Sequence, residues 1–412
     1  MTPSYSKHRL RNGLSILCRH TPKSLMAEFQ LMLPGGQTLE PARMGGLSHL
    51  TMEVAVKGTT RRSHAELSER IESLGASIWG DDSLDFGSLN LSVPAGEAGE
   101  ALPYFAEVAL EASCPEEELE KERKATLAEI KNKEEHPFTI AYEKLKNLLY
   151  GDHPYGRPEM GTPDTIAKIK REDILRWRNA WLRPREAILS IASPLPPQEV
   201  FKRIESLFNR PWGDRASSPT TPSRLGRPGR ERTVKLRKHF KQACLLVGFE
   251  APGLSSALYP KIKVLDALLG GGMSARLFRE IRERQGLAYE VGSFYPTRLQ
   301  GSSFVIHMGL PAPKISQAEQ SVRDLLREIK TNAPGQEEVE EAKRYIRGTY
   351  FMDHQTNARK AFYAGWWEIL GKGAAYDVRY PEEIAAVTPD DVREAAELIF
   401  SNPAQTVELH PN

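Results

Sequence analysis

At 412 residues the chain exceeds one ordinary domain and fits two of about 200 residues each. It is 40% apolar and 27% charged with a net charge of +2, a near-neutral balance that argues against general nucleic-acid binding. No stretch approaches the roughly 18 apolar residues of a spanning helix, the N-terminus lacks a signal-peptide core, and Cys18, Cys114 and Cys244 form no C-x-x-C pair, which together fit a cytoplasmic protein with reduced thiols and no membrane partner.

In chain order, Leu14 to Cys18 and Ala27 to Leu33 read as paired strands, the second running into the turn Pro34-Gly35-Gly36. Gly45 to Thr59 reads as an amphipathic helix opened by a glycine pair and closed by Lys57-Gly58. Ser63 to Gly75 is a second helix with a Ser/Glu capping box and a glycine stop. Strands follow at Ala76 to Trp79 and Ser88 to Val93, then a helix from Ala98. Pro115 to Tyr150 is helical with a break near His136-Pro137, and its first-turn carboxylates suit a helix N-terminus. A loop from His153 to Thr162 precedes a short helix from Pro163, a helix from Arg171 to Trp181 and a strand from Ala187 to Ala192.

Residues 209–232 lack periodicity, are rich in Pro, Gly, Ser and Arg, and read as an interdomain linker. The second half then echoes the first. Glu117-Glu-Leu-Glu answers to Glu337-Glu-Val-Glu, Asp173 to Asp391, Pro184 to Pro403, and Gly45-Gly-Leu-Ser48 to Gly271-Gly-Met-Ser274, all in one order. The expected fold is therefore α+β, with two similar duplicated domains at 1–208 and 233–412.

His49 and Glu53 stand four apart on one helix face, as two ligands of one metal would. The spacing outlines the inverted zinc-peptidase motif H-x-x-E-H, but Met52 holds the general-base position and Glu53 the second ligand position. Methionine cannot take a proton from metal-bound water. Glu122 and Glu129 share a later helix face and are further acidic candidates, though each alone reads more simply as part of a solvated helix face. The triple glycine Gly270-Gly271-Gly272 lacks the G-K-[ST] ending of a phosphate loop. Arg282 and Tyr289 flank the end of the following helix, where a guanidinium and a phenol suit a carbonyl gaining negative charge. An exposed arginine beside a strand tyrosine is the plainer account of that pair.

With Gly46-Leu-Ser-His49, Lys57-Gly-Thr59, Glu122 with Glu129, His153-Pro-Tyr-Gly-Arg157, Leu269-Gly-Gly-Gly-Met-Ser-Ala-Arg-Leu-Phe278 and Arg282-x6-Tyr289 in order, the chain resembles the pitrilysin/insulinase zinc peptidases, in particular their two-domain processing-peptidase branch. The resemblance implies that two such chains close like a clamshell on a peptide, each chain forming half. It implies a zinc role for His49, position 53 and Glu129, and a substrate-carbonyl role, acting on a mate's site, for Arg282 and Tyr289. A broken motif with an intact Arg/Tyr pair resembles the non-zinc subunit of a heterodimer. The expectations are then no cofactor in this chain, zinc in an intact partner subunit, and a peptide substrate. Two other readings stay open: a peptide-binding scaffold without a peptidase mate, and a peptidase using His49, Glu53 and Glu129.

Overall fold

The structure, a computed structural model, describes residues 5–212, 226 and 229–412, so most of the expected 209–232 linker lies outside the described residues. In the first half the order is β1 (Tyr5–Arg9), β2 (Ser15–His20), β3 (Met26–Pro34), α1 (Leu47–Ala55), α2 (His64–Ser73), β4 (Ser77–Asp82), β5 (Phe86–Pro94) and α3 (Ala98–Glu111). Then come α4 (Glu116–Lys133), α5 (Pro137–Tyr150), α6 (Pro163–Ile166), α7 (Arg171–Trp181), β6 (Ile188–Ser193) and α8 (Pro197–Phe208). The second half runs β7 (Arg232–Lys238), β8 (Ala243–Ala251), α9 (Tyr259–Gly270), a π-helical turn (Phe278–Arg284), β9 (Glu290–Phe294) and β10 (Ser302–Leu310). It finishes with α10 (Ile315–Thr331), α11 (Gln336–Asp353), α12 (Asn357–Ile369), α13 (Tyr376–Ala386), α14 (Pro389–Phe400) and β11 (Gln405–Pro411). Among the described residues no helix is long and apolar enough to cross a membrane.

The duplication is visible in the sheets. One has the order β1-β2-β6-β3-β5-β4, the other β7-β11-β8-β10-β9. Without β1 the two orders correspond strand for strand, including the parallel pairs β2/β6 and β7/β11. The strands expected to pair, β2 and β3, are not partners, because β6 lies between them, parallel to β2 and antiparallel to β3. All six residues of β6 are buried, and a strand buried on both faces takes a central position whatever its distance along the chain. The glycine landmarks do not correspond either: Gly45-Gly46 precedes α1, whereas Gly271-Gly272 follows α9. Two helices set between corresponding strands have glycines at opposite ends.

The chain forms two compact units that depart from the 1–208 and 233–412 division. The first gathers described residues up to 130, those from 158 to 212, and 353–378; the second gathers 131–157, the described residues up to 352 beyond the linker, and 379–412. The segment carrying α5 thus belongs with the second sheet and the segment carrying α12 with the first. Glycines allow both approaches. A Cβ on Gly365 of α12 would meet Met32 Sδ at 2.7 Å, and one on Gly248 of β8 would meet the Leu145 methyls of α5 at 3.0 Å. Polar ties hold α12 in place: Gln30 donates to the Ala358 carbonyl at 3.1 Å, and Ser190 to that of Ala361 at 2.6 Å. Helix α8, unread in the sequence, buries Val200, Ile204 and Phe208, whose four-residue spacing is an apolar helical stripe.

Glu28 on β3 is 5% exposed, accepts from Ser92 Oγ at 2.9 Å, and leaves its second oxygen without a partner. Burial pushes its pKa from 4.5 up to about 7, against the Ser92 hydrogen bond. A raised carboxyl pKa means that the folded state holds the proton more tightly than the unfolded one. The resulting stabilisation is present in acid and lost as pH climbs from the ordinary value through the raised one. Urea midpoints should therefore fall over that window, and Glu28→Gln should flatten the fall and stabilise the protein by roughly 1–3 kcal/mol above it.

Candidate functional site

Helix α1 is placed by its start. Gly46 adopts φ 88°, where a side chain is strained, and its Cα faces the Met160 carbonyl and Ile166 so closely that a Cβ would meet both at 2.5 Å. Glu40 then reaches the open helix end, accepting from the Gly46 and Ser48 amides at 3.1 and 2.5 Å. A carboxylate there satisfies orphan N–H groups and complements the helix dipole. The helix stops at Ala55 with Val56 as its cap, earlier than the Lys57-Gly58 closure expected. Lys57 instead leaves the helix and pairs with Glu122 of α4 at 3.1 Å.

Leu47, Leu50, Met52, Val54 and Ala55 bury α1 in the first core and leave His49 and Glu53 part-exposed. His49 Nδ1 lies 3.2 Å from Asp82 Oδ1 at the end of β4, and His49 Nε2 lies 3.3 Å from Thr126 Oγ1 on α4. Asp82 is itself held by Gln37 Nε2 at 2.6 Å. Burial pushes the His49 pKa down, but the hydrogen bond and charge of Asp82, with the charges of Glu53 and Glu129, outweigh it and leave the imidazole above its usual value. Burial raises the Glu53 carboxyl; Glu122 and Asp82 add to this, while His49 and Lys57 oppose it.

Met52 does not face this cluster. It is 3% exposed, and its methyl closes with Trp181 over Gly87, where a Cβ would meet them at 2.9 and 2.2 Å. Glu129 lies exposed on α4, near enough to act on His49 through charge. The residues present do not fit a zinc ion. The one imidazole has both nitrogens engaged, Lys57 already neutralises Glu122, and among the described residues no three His, Cys, Asp or Glu side chains group as ligands. Sequence reading missed Asp82, Thr126 and Glu40. Only Thr126 had a signal, since it lies on the α4 face defined by Glu122 and Glu129.

In the second unit, Arg282 sits on the π-helical turn with its guanidinium 4.9 Å from the Phe278 ring centre. Gly286, at φ 60°, reverses the chain, and the Tyr289 amide donates to the Gly309 carbonyl at 2.9 Å as β9 begins. That bond anchors the backbone and leaves the Tyr289 side chain 63% exposed. Arg282 is exposed as well. Upstream, Arg276 clasps Glu338 with two bonds of 2.6 and 2.7 Å, tying the segment after the glycines to α11. His153 is buried: its Nδ1 accepts from the Tyr155 amide at 3.2 Å and its Nε2 faces Gln300 Oε1 at 3.0 Å, which makes it a loop-fixing residue.

Comparison with known proteins agrees with this architecture. Residues 15–163 match the family model described as insulinase (peptidase family M16), and residues 168–346 match the one described as the peptidase M16 inactive domain. An uncharacterized zinc protease of Rickettsia bellii is 29% identical over 100% of this chain and 99% of its own length. The uncharacterized zinc protease YmxG of Bacillus subtilis is 25% identical, covering 96% of this chain and 95% of its own. In fold, the chain resembles a protease from Helicobacter pylori, with a TM-score of 0.92, 20% identity and all of both chains covered. It also resembles a peptidase M16 inactive domain from Pseudomonas fluorescens, with a TM-score of 0.90, 20% identity and 99% and 98% of the two chains covered. With both halves matched in order and the duplicated α+β fold shared throughout, the chain belongs to the pitrilysin/insulinase (M16) peptidase family.

Proposed function

We propose that this chain is the non-zinc subunit of a heterodimeric zinc peptidase. It would contribute Arg282, Tyr289 and half of a peptide chamber to a mate that carries an intact H-x-x-E-H motif. The observation that carries the reading is a contrast between the two units. His49 has a partner at each ring nitrogen, Lys57 pairs with Glu122 and the base position is filled by a core methionine, whereas Arg282 and Tyr289 stand exposed. Strand β4, which ends at Asp82, is the outer strand of its sheet, and an outer strand offers backbone groups to an extended peptide.

The test is purification of the chain alone and together with a zinc-bearing mate, followed by metal analysis and cleavage of an unfolded peptide. The isolated chain should hold little or no zinc and leave the peptide intact, while the complex cleaves it and loses activity to chelator. Near one zinc per isolated chain, lost on His49→Ala, would overturn the reading. So would chelator-sensitive cleavage by the chain alone. Stable assembly without any cleavage would favour a scaffold.

A further inference from the structure

His49 is engaged on both sides of its ring, and the two partners have opposite consequences for a metal. A carboxylate on one imidazole nitrogen ordinarily fixes the tautomer and ring orientation so that the other nitrogen presents its lone pair to a metal. Asp82, 3.2 Å from Nδ1, has that relation to His49. The second nitrogen, however, faces Thr126 Oγ1 at 3.3 Å. When the ring is neutral, Thr126 donates to Nε2; when it is charged, Nε2–H donates to Thr126. In both states the nitrogen that a metal requires has a protein partner.

Thr126 is 3% exposed and lies four residues after Glu122 and three before Glu129, so it meets His49 from the α4 face that carries both acids. Helix α1 is held at its N-terminal end by Glu40 and Gly46, which fixes the backbone of the turn that carries His49.

We infer that Thr126 is a metal-excluding residue: its hydroxyl occupies the Nε2 position of His49, an obstacle to zinc separate from the replacements at Met52 and Glu53. The inference rests on the reading that this chain carries no zinc of its own, and it names a residue outside the motif that keeps the site closed.

The test starts from Met52→Glu combined with Glu53→His, which restores the motif. In that background, Thr126→Val and Asp82→Ala are compared by cobalt titration, followed through visible absorption, and by zinc analysis after dialysis. Removing a competing hydrogen bond should tighten metal binding by about ten-fold for Thr126→Val. Removing the carboxylate behind Nδ1 should weaken it by about 10- to 100-fold for Asp82→Ala. Unchanged or weaker binding on Thr126→Val overturns the inference, as does the absence of metal binding in every background.

Should the restored chain fail to fold, Thr126→Val alone in the native chain supplies a second readout. Nitrogen NMR of the imidazoles, with His49 identified by His49→Gln, should show its Nε2 resonance shifted and its Nδ1 resonance little changed. An unmoved Nε2 resonance overturns the inference. Neither measurement needs the mate, so either result leaves the reconstituted cleavage assay to be judged separately.

Discussion

Arg282→Ala or Tyr289→Phe, introduced into a complex with a zinc-bearing mate, should lower peptide cleavage by about 100- to 1,000-fold. Loss of one preorganised donor to a developing oxyanion has that order of effect, because the donor acts where charge appears during attack and water has been displaced. Neither residue is a ligand or a core filler. Tyr289 is 63% exposed and its backbone, not its phenol, is bonded to Gly309; Arg282 is exposed beside Phe278. Assembly and the mate's zinc content should accordingly remain unchanged. Complexes must be compared at matched stoichiometry, since dissociation imitates a catalytic loss. A fall in kcat with KM preserved assigns the pair to the transition state, and a rise in KM alone assigns it to substrate binding. Normal assembly with unaltered cleavage would make the pair structural and favour the scaffold reading.

Gly46→Ala should destabilise the first unit by roughly 2–4 kcal/mol, while the neighbouring Gly45→Ala should change stability by less than about 0.5 kcal/mol. The two differ in backbone and in space. Gly46 has φ 88°, and a Cβ there would meet the Met160 carbonyl oxygen at 2.5 Å, a backbone atom that cannot turn aside. Gly45 has φ −55°, and its Cβ would find Gly161 Cα at an ordinary 3.5 Å. Urea unfolding monitored by tryptophan fluorescence compares them directly, with each unit's transition fitted separately if the curve is biphasic. Equal stability of the two variants would mean that the α1 start can shift, and the closeness of His49 to Asp82 and Thr126 would then need a different support.

Much of the fold was decided locally and is readable for that reason. The Ser63 capping box and the His136-Pro137 break depend on residues within one turn of each other, and α2, α4 and α5 lie where those signals put them. The repeat was readable because helices α4 and α11 retain the same charged first turn. His49 with Glu53, and Glu122 with Glu129, follow from helical spacing alone. What tertiary structure decided is whatever joins distant segments. β6 enters between β2 and β3 because its side chains are buried on both faces and its backbone is paired on both edges, and no turn between adjacent strands announces that. The exchange of α5 and α12 depends on close approaches at Gly248 of β8 and at Gly365 of α12 itself, which spacing cannot reveal. At the site, Asp82 and Thr126 come from a strand and a helix that only folding brings to His49. The sequence by itself determined that the zinc motif lacks its base and second histidine; the tertiary structure decided what fills the space, because hydrogen-bond partners of a side chain are set by proximity in the fold and not by separation along the chain.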